Sequence, residues 1–121
     1  VSASDEAGCK NEDHRKVIMY RYLPVTDPSS NGYDAMFGHG THVAGSVAGS
    51  ASPSVSTSAE YAYASEYDGA APNAKLTFDD ISSDGEQLDG IPGDLNQGLF
   101  PASYWAGART HSNSWGDDRP R

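Results

Sequence analysis

The sequence predicts an α/β domain with a mainly parallel central sheet, on three observations. Two runs of β-branched, aliphatic and aromatic residues, "KVIMYRYL" (16–23) and "NAKLTFDDI" (73–81), have the composition of strands. Between them, "HGTHVAGSVAG" (39–49) repeats small residues at helical spacing. A further helical pattern and a third extended run follow the second strand. Strand, helix, strand, helix, strand is the order of a parallel sheet, whose neighbouring strands need a crossover connection.

Residues 1–16 are polar and charged and read as a loop. The first strand stops at Pro24, and "PVTDPSSNGYDAMFG" (24–38) is turn punctuation that delivers the chain to Gly38. A helix is expected from His39 to about Gly49. Thr41, Gly45 and Gly49 form one stripe of small residues along it, and Ala44 and Ala48 form another. Each internal glycine costs a helix about 1 kcal/mol relative to alanine. A helix that keeps such a stripe is expected to lie close against another backbone.

"SASPSVSTSAEYAYASEYDG" (50–69) has no clean period and reads as an exposed loop insertion. A turn at Pro72-Asn73 leads into the strand through Leu76 and Phe78, and "ISSDGEQLDGIPGD" (81–94) is a further loop. Leu95 and Leu99 lie one turn apart, with Phe100 beside them. They predict a helix interrupted or restarted at Pro101, continued by Tyr104 and Trp105 and capped by Gly107. "RTHSNSWG" (109–116) reads as a short strand ending in a glycine turn.

Composition narrows the function. The 121 residues suffice for one domain, and 36% of them are hydrophobic, against about 45–50% apolar, glycine included, in an average domain. Three strands do not close a core for this length, so the chain reads as a piece of one larger domain, cut at both ends. Lys and Arg number 8 against 17 Asp and Glu, a net charge of −9. That acidic balance argues against a nucleic-acid partner and against anionic membrane surfaces. No apolar run approaches the about 20 residues that span a bilayer. Cys9 stands alone, which excludes an internal disulfide and leaves the compartment open.

The chemistry concentrates in Gly38-His39-Gly40-Thr41-His42-Val43-Ala44-Gly45. This string resembles the histidine motif of the subtilisin-like serine proteases, the subtilases. "GAAPNAKLTFDDI" (69–81) resembles the segment in which those enzymes run from a turn into a core strand beside the substrate cleft. "SNSWG" (112–116) resembles the strand lining their primary specificity pocket. The resemblance covers about residues 36–49, 69–81 and 108–116. Its wording is similar to a branch of the family some of whose members are fused to other modules, transporters included.

What the resemblance implies is a subtilisin-like three-layer fold, with helices on both faces of the sheet and only part of it in these residues. The implied reaction is peptide-bond hydrolysis through an acyl-enzyme. A serine hydroxyl is a poor nucleophile until a neighbouring base takes its proton. His39 would be that base and would later protonate the leaving amine. The positive end of the helix dipole disfavours an imidazolium there, and the flanking glycines leave room for a peptide beside the ring. Ser114, Trp115 and Gly116 would bind substrate as an extended strand edge. His42 would be structural, and His14 and His111 incidental.

By resemblance the triad runs Asp, His, Ser in chain order. Of the acids before His39, Asp5, Glu6, Glu12, Asp13, Asp27 and Asp34, none ends an apolar strand. The triad Asp is therefore expected before Val1. The oxyanion-hole Asn and the Gly-Thr-Ser nucleophile motif are expected after Arg121, and these residues alone are expected to be inert. No cofactor is implied, and calcium, common in the family, has no assignable ligands. The partner is a protein or peptide substrate, and the family favours the extracellular space or the secretory pathway. Two alternatives stay open: a non-catalytic subtilase-derived module that binds extended peptides, and a zinc-dependent hydrolase using His39 and His42.

Overall fold

The computed structural model describes residues 10–23, 37–51, 57–82 and 88–116. Its elements are β1 (Val17–Tyr22), α1 (His39–Ala48), α2 (Ser58–Ser65), β2 (Leu76–Asp80), α3 (Leu95–Gly98) and α4 (Phe100–Trp105). Asp5, Glu6, Cys9, Asp27 and Asp34 lie outside the described residues.

β1 and β2 pair in parallel, with Val17 opposite Leu76 and Tyr22 opposite Asp80. Their connection passes through α1 and α2, as a parallel pair demands. The register slips between Val17 and Met19, a bulge that leaves the Ile18 carbonyl to accept from Asn11 N at 2.7 Å. At the other end, Leu23 N donates to Asp80 O at 2.9 Å and prolongs the ladder.

Alternation along β1 gives the sheet two unlike faces. Met19, 1% exposed, packs with Ala102 and Ala106 of the α4 segment in the buried cluster. Alanines on that side let the helix come down onto the thioether. The opposite face carries Tyr20 stacked on Phe78, ring centroids 5.7 Å apart, with the Tyr20 hydroxyl donating to Asp80 Oδ2. The sheet is therefore covered by α4 on one side and half-open on the other among the described residues.

The expected helix break at Pro101 is present. Asp94 caps α3 by accepting from Asn96 N at 2.9 Å, and Leu99 separates α3 from α4, where Pro101 occupies the first turn and so gives up a donor that has no helical partner. Beyond the last turn, Gly107 N donates to Tyr104 O and Ala108 N to Ser103 O. Gly107 has φ +112°, so this C-terminal closure needs a residue without a side chain.

Two expectations are corrected. Residues 58–65, read as part of a loop, form α2, held at its start by Thr57, whose Oγ1 accepts from Glu60 N at 3.2 Å. None of its residues is buried, so it lacks the apolar stripe that betrays a helix in sequence. Residues 109–116, read as a strand, have no regular structure. A strand needs a partner for its backbone groups, and among the described residues only β1 and β2 pair.

Candidate active site

The site begins with Gly38. Its φ of 62° and ψ of 36° lie in the left-handed region, and the turn it makes starts α1 without a side-chain cap. His42 N then donates to Gly38 O at 2.8 Å, the first bond of the helix. His39 is thereby the first helical residue and is exposed, with Gly38 and Gly40 on either side. Phe37, just before the turn, is 86% exposed. Among the described residues no side chain is hydrogen-bonded to the His39 ring.

The other end of α1 is anchored. Gly49 N donates to Gly45 O at 2.8 Å, and three successive amides of the segment before β2 reach back to the helix. Gly69 N donates to Gly49 O at 2.9 Å, Ala70 N to Ser46 O at 3.0 Å, and Ala71 N to Val47 O at 2.8 Å. Carbonyls in the last turn of a helix have no partner within it, and these amides supply one. Asp68 adds an oxygen that accepts from Ala51 N at 2.7 Å. The close approach expected of the small-residue stripe occurs here, where Gly69 lies against backbone atoms of Gly45, Ala48 and Gly49. Gly45 has open space where a Cβ would stand.

His42 is exposed and faces an open groove of about 530 Å³ shared with Gly45, Ser46, Gly49, Tyr67, Asp68 and Gly69. Tyr67 donates its hydroxyl to Tyr63 at 3.3 Å, which pushes its phenol above the ordinary value of 10.0. His14 sits in the turn before β1, Nδ1 3.2 Å from Val17 O, and His111 packs edge-on against Phe100 at 4.9 Å.

Ser114, Trp115 and Gly116 are exposed, Trp115 at 37%. They share no hydrogen bond or ring contact with His39 among the described residues. They extend from a smaller concavity of about 200 Å³ lined by Phe100, Ser103, Tyr104, Ala108, Arg109, Thr110 and His111. Arg109 stacks its guanidinium 4.4 Å over Tyr104 there. No group of three or more His, Cys, Asp or Glu side chains able to hold an ion occurs among the described residues. No described helix is long and apolar enough to cross a membrane.

Sequence reasoning located the helix that carries His39 and missed the segment that braces it. The signal was the glycine at position 69, at the head of "GAAPNA", whose partners lie about twenty residues earlier.

Comparison with known proteins places these observations in a family. The subtilase family profile matches residues 9–121. Three relatives are serine protease/ABC transporter B family proteins of Dictyostelium discoideum. The protein tagB is 42% identical over 107 residues, tagD 38% over 106 and tagA 33% over 106. These matches cover 88%, 88% and 84% of this chain and 5% of each relative. The chain thus spans about a twentieth of the length of the curated relatives it matches. No solved structure matches significantly. A profile match over nearly the whole length, on a parallel α/β framework, settles the classification: the chain belongs to the subtilase family of serine proteases.

Proposed function

We propose that this chain is the histidine-bearing part of a serine endopeptidase domain that hydrolyses peptide bonds with an Asp-His-Ser triad. One observation carries the reading: His39 stands exposed at the start of a braced helix, between two glycines that place no side chain beside the ring. In that role the neutral ring takes the proton of the attacking serine and later returns it to the leaving amine. The carboxylate that orients the ring and the serine itself come from other parts of the full polypeptide. Ser114 to Gly116 line the cleft on the side of the scissile residue, where main-chain atoms of an extended substrate pair with the enzyme backbone. Gly116 admits the peptide closely, and Trp115 flanks its side chain.

The relatives' names couple a serine protease to an ABC transporter, and we extend that arrangement to the full protein of which this chain is a part. The complete coding sequence tests both statements. An Asp at the end of an apolar strand before Val1, a Gly-Thr-Ser turn after Arg121, and a transporter module on the same polypeptide are expected. Replacement of the Asp or Ser would favour a peptide-binding module without catalysis. Full-length protein should cleave peptides and be blocked by a serine-directed fluorophosphonate.

A further inference from the structure

We propose that Gly69 is a positioning residue for His39, acting through a backbone clamp of Asp68–Ala71 that fixes α1 along its axis. The proposal rests on His39 being the general base. The clamp consists of the four hydrogen bonds at the C-terminal end of α1: the amide of Ala51 donates to Asp68 Oδ1, and the amides of Gly69, Ala70 and Ala71 donate to the carbonyls of Gly49, Ser46 and Val47.

Gly69 is the point of closest approach. A Cβ there would stand 2.5 Å from Gly45 O, 2.7 Å from Gly49 N and 2.9 Å from Ala48 N. All three are backbone atoms, so no side chain can swing aside. Even alanine would force the helix and the clamp apart by a sizeable fraction of an ångström. Conformation is not the reason for the glycine, since the residues with positive φ are Gly38 and Gly107 among those described.

The displacement reaches the ring because α1 is one unbroken helix of ten residues, about 15 Å long and stiffened by its own hydrogen bonds. A shift at Gly45–Gly49 moves His39 with it. General-base catalysis requires the ring within hydrogen-bond reach of the nucleophile, and a misplacement of about 1 Å costs a reaction on the order of 100-fold. Binding of the substrate backbone, made by other residues, is untouched by such a shift.

The test uses full-length enzyme and three variants: Gly69→Ala, Asp68→Ala, and Gly93→Ala as the control. Gly93 has open space at its Cβ position and lies outside the site. The readouts are kcat per folded molecule and KM. Gly69→Ala should lose about 10- to 100-fold in kcat with KM within about threefold of wild type. Asp68→Ala, which loosens the clamp without overlap, should lose less, and Gly93→Ala should match wild type. A merely structural role would lower the melting temperature and leave kcat per folded molecule unchanged. Wild-type kcat in folded Gly69→Ala would overturn the proposal. If that variant does not fold, wild-type kcat in Asp68→Ala overturns it instead. His39→Ala run in parallel separates the two ideas: its inactivity alongside a fully active Gly69→Ala would remove the clamp and keep the base.

Discussion

Arg21 Nε lies 2.7 Å from Asp79 Oδ1, joining two side chains that face each other across β1 and β2 and are less than a tenth exposed. Arg21 also donates to Leu99 O at 2.7 Å, and Ser103 donates to the second Asp79 oxygen at 3.2 Å. The pair therefore ties the sheet to α4. Removing one buried partner strands the other, which costs about 3–5 kcal/mol, whereas replacing both by apolar side chains is often neutral. Asp79→Ala should lower the urea unfolding midpoint sharply. Arg21→Met combined with Asp79→Leu should lower it much less.

Met19 is the large side chain at the centre of the cluster with Ala102 and Ala106. The alanines cannot expand to refill a hole. Met19→Ala is expected to cost about 2–5 kcal/mol through lost contact and a residual cavity. Met19→Leu, close in volume, should stay under about 1.5 kcal/mol. Equilibrium unfolding of the two variants checks the difference.

The helix α2 buries nothing, so its cap carries more of its stability than in a packed helix. Thr57 Oγ1 accepts from Glu60 N and donates to Glu60 Oε2 at 2.8 Å. Thr57→Ala should destabilise this helix by about 1 kcal/mol. Faster amide exchange confined to residues 58–65, with unchanged exchange in β1 and β2, is the expected pattern.

Tyr67 donates to Tyr63, which holds the protonated phenol and raises its titration above 10.0. A raised value means that the contact contributes below the ordinary phenol range and is lost as pH climbs through the folded-state value. Tyr63→Phe should therefore move Tyr67 ionisation to lower pH. Tyrosinate absorbance of the variant and wild type through alkaline pH measures the shift.

The two strands and α1 were legible because burial writes a pattern: apolar runs at 16–23 and 73–81, and small residues where α1 meets Gly69. Pro101 and Gly107 marked the restart and end of α4 through backbone chemistry that no neighbour changes. The helix α2 left no such pattern, since no face of it is buried. Its signal was Thr57 followed three residues later by Glu60, a helix-start pair inside a run of serines and alanines. The extended reading of 109–116 failed because pairing is a property of two segments, and one segment's composition does not supply its neighbour. At the site, the motif marked His39, but the clamp on α1 could not be read from it. Gly69 meets backbone atoms of Gly45, Ala48 and Gly49, and its being glycine does not by itself name the segment twenty residues earlier that it packs against.

Turnover per folded molecule of His39→Ala in the full-length enzyme, measured on a peptide substrate beside wild type, addresses the proton-transfer role most directly. Loss of nearly all turnover in the variant, with its fold and melting temperature retained, is the expected result. Comparable turnover in soluble, folded His39→Ala would contradict it.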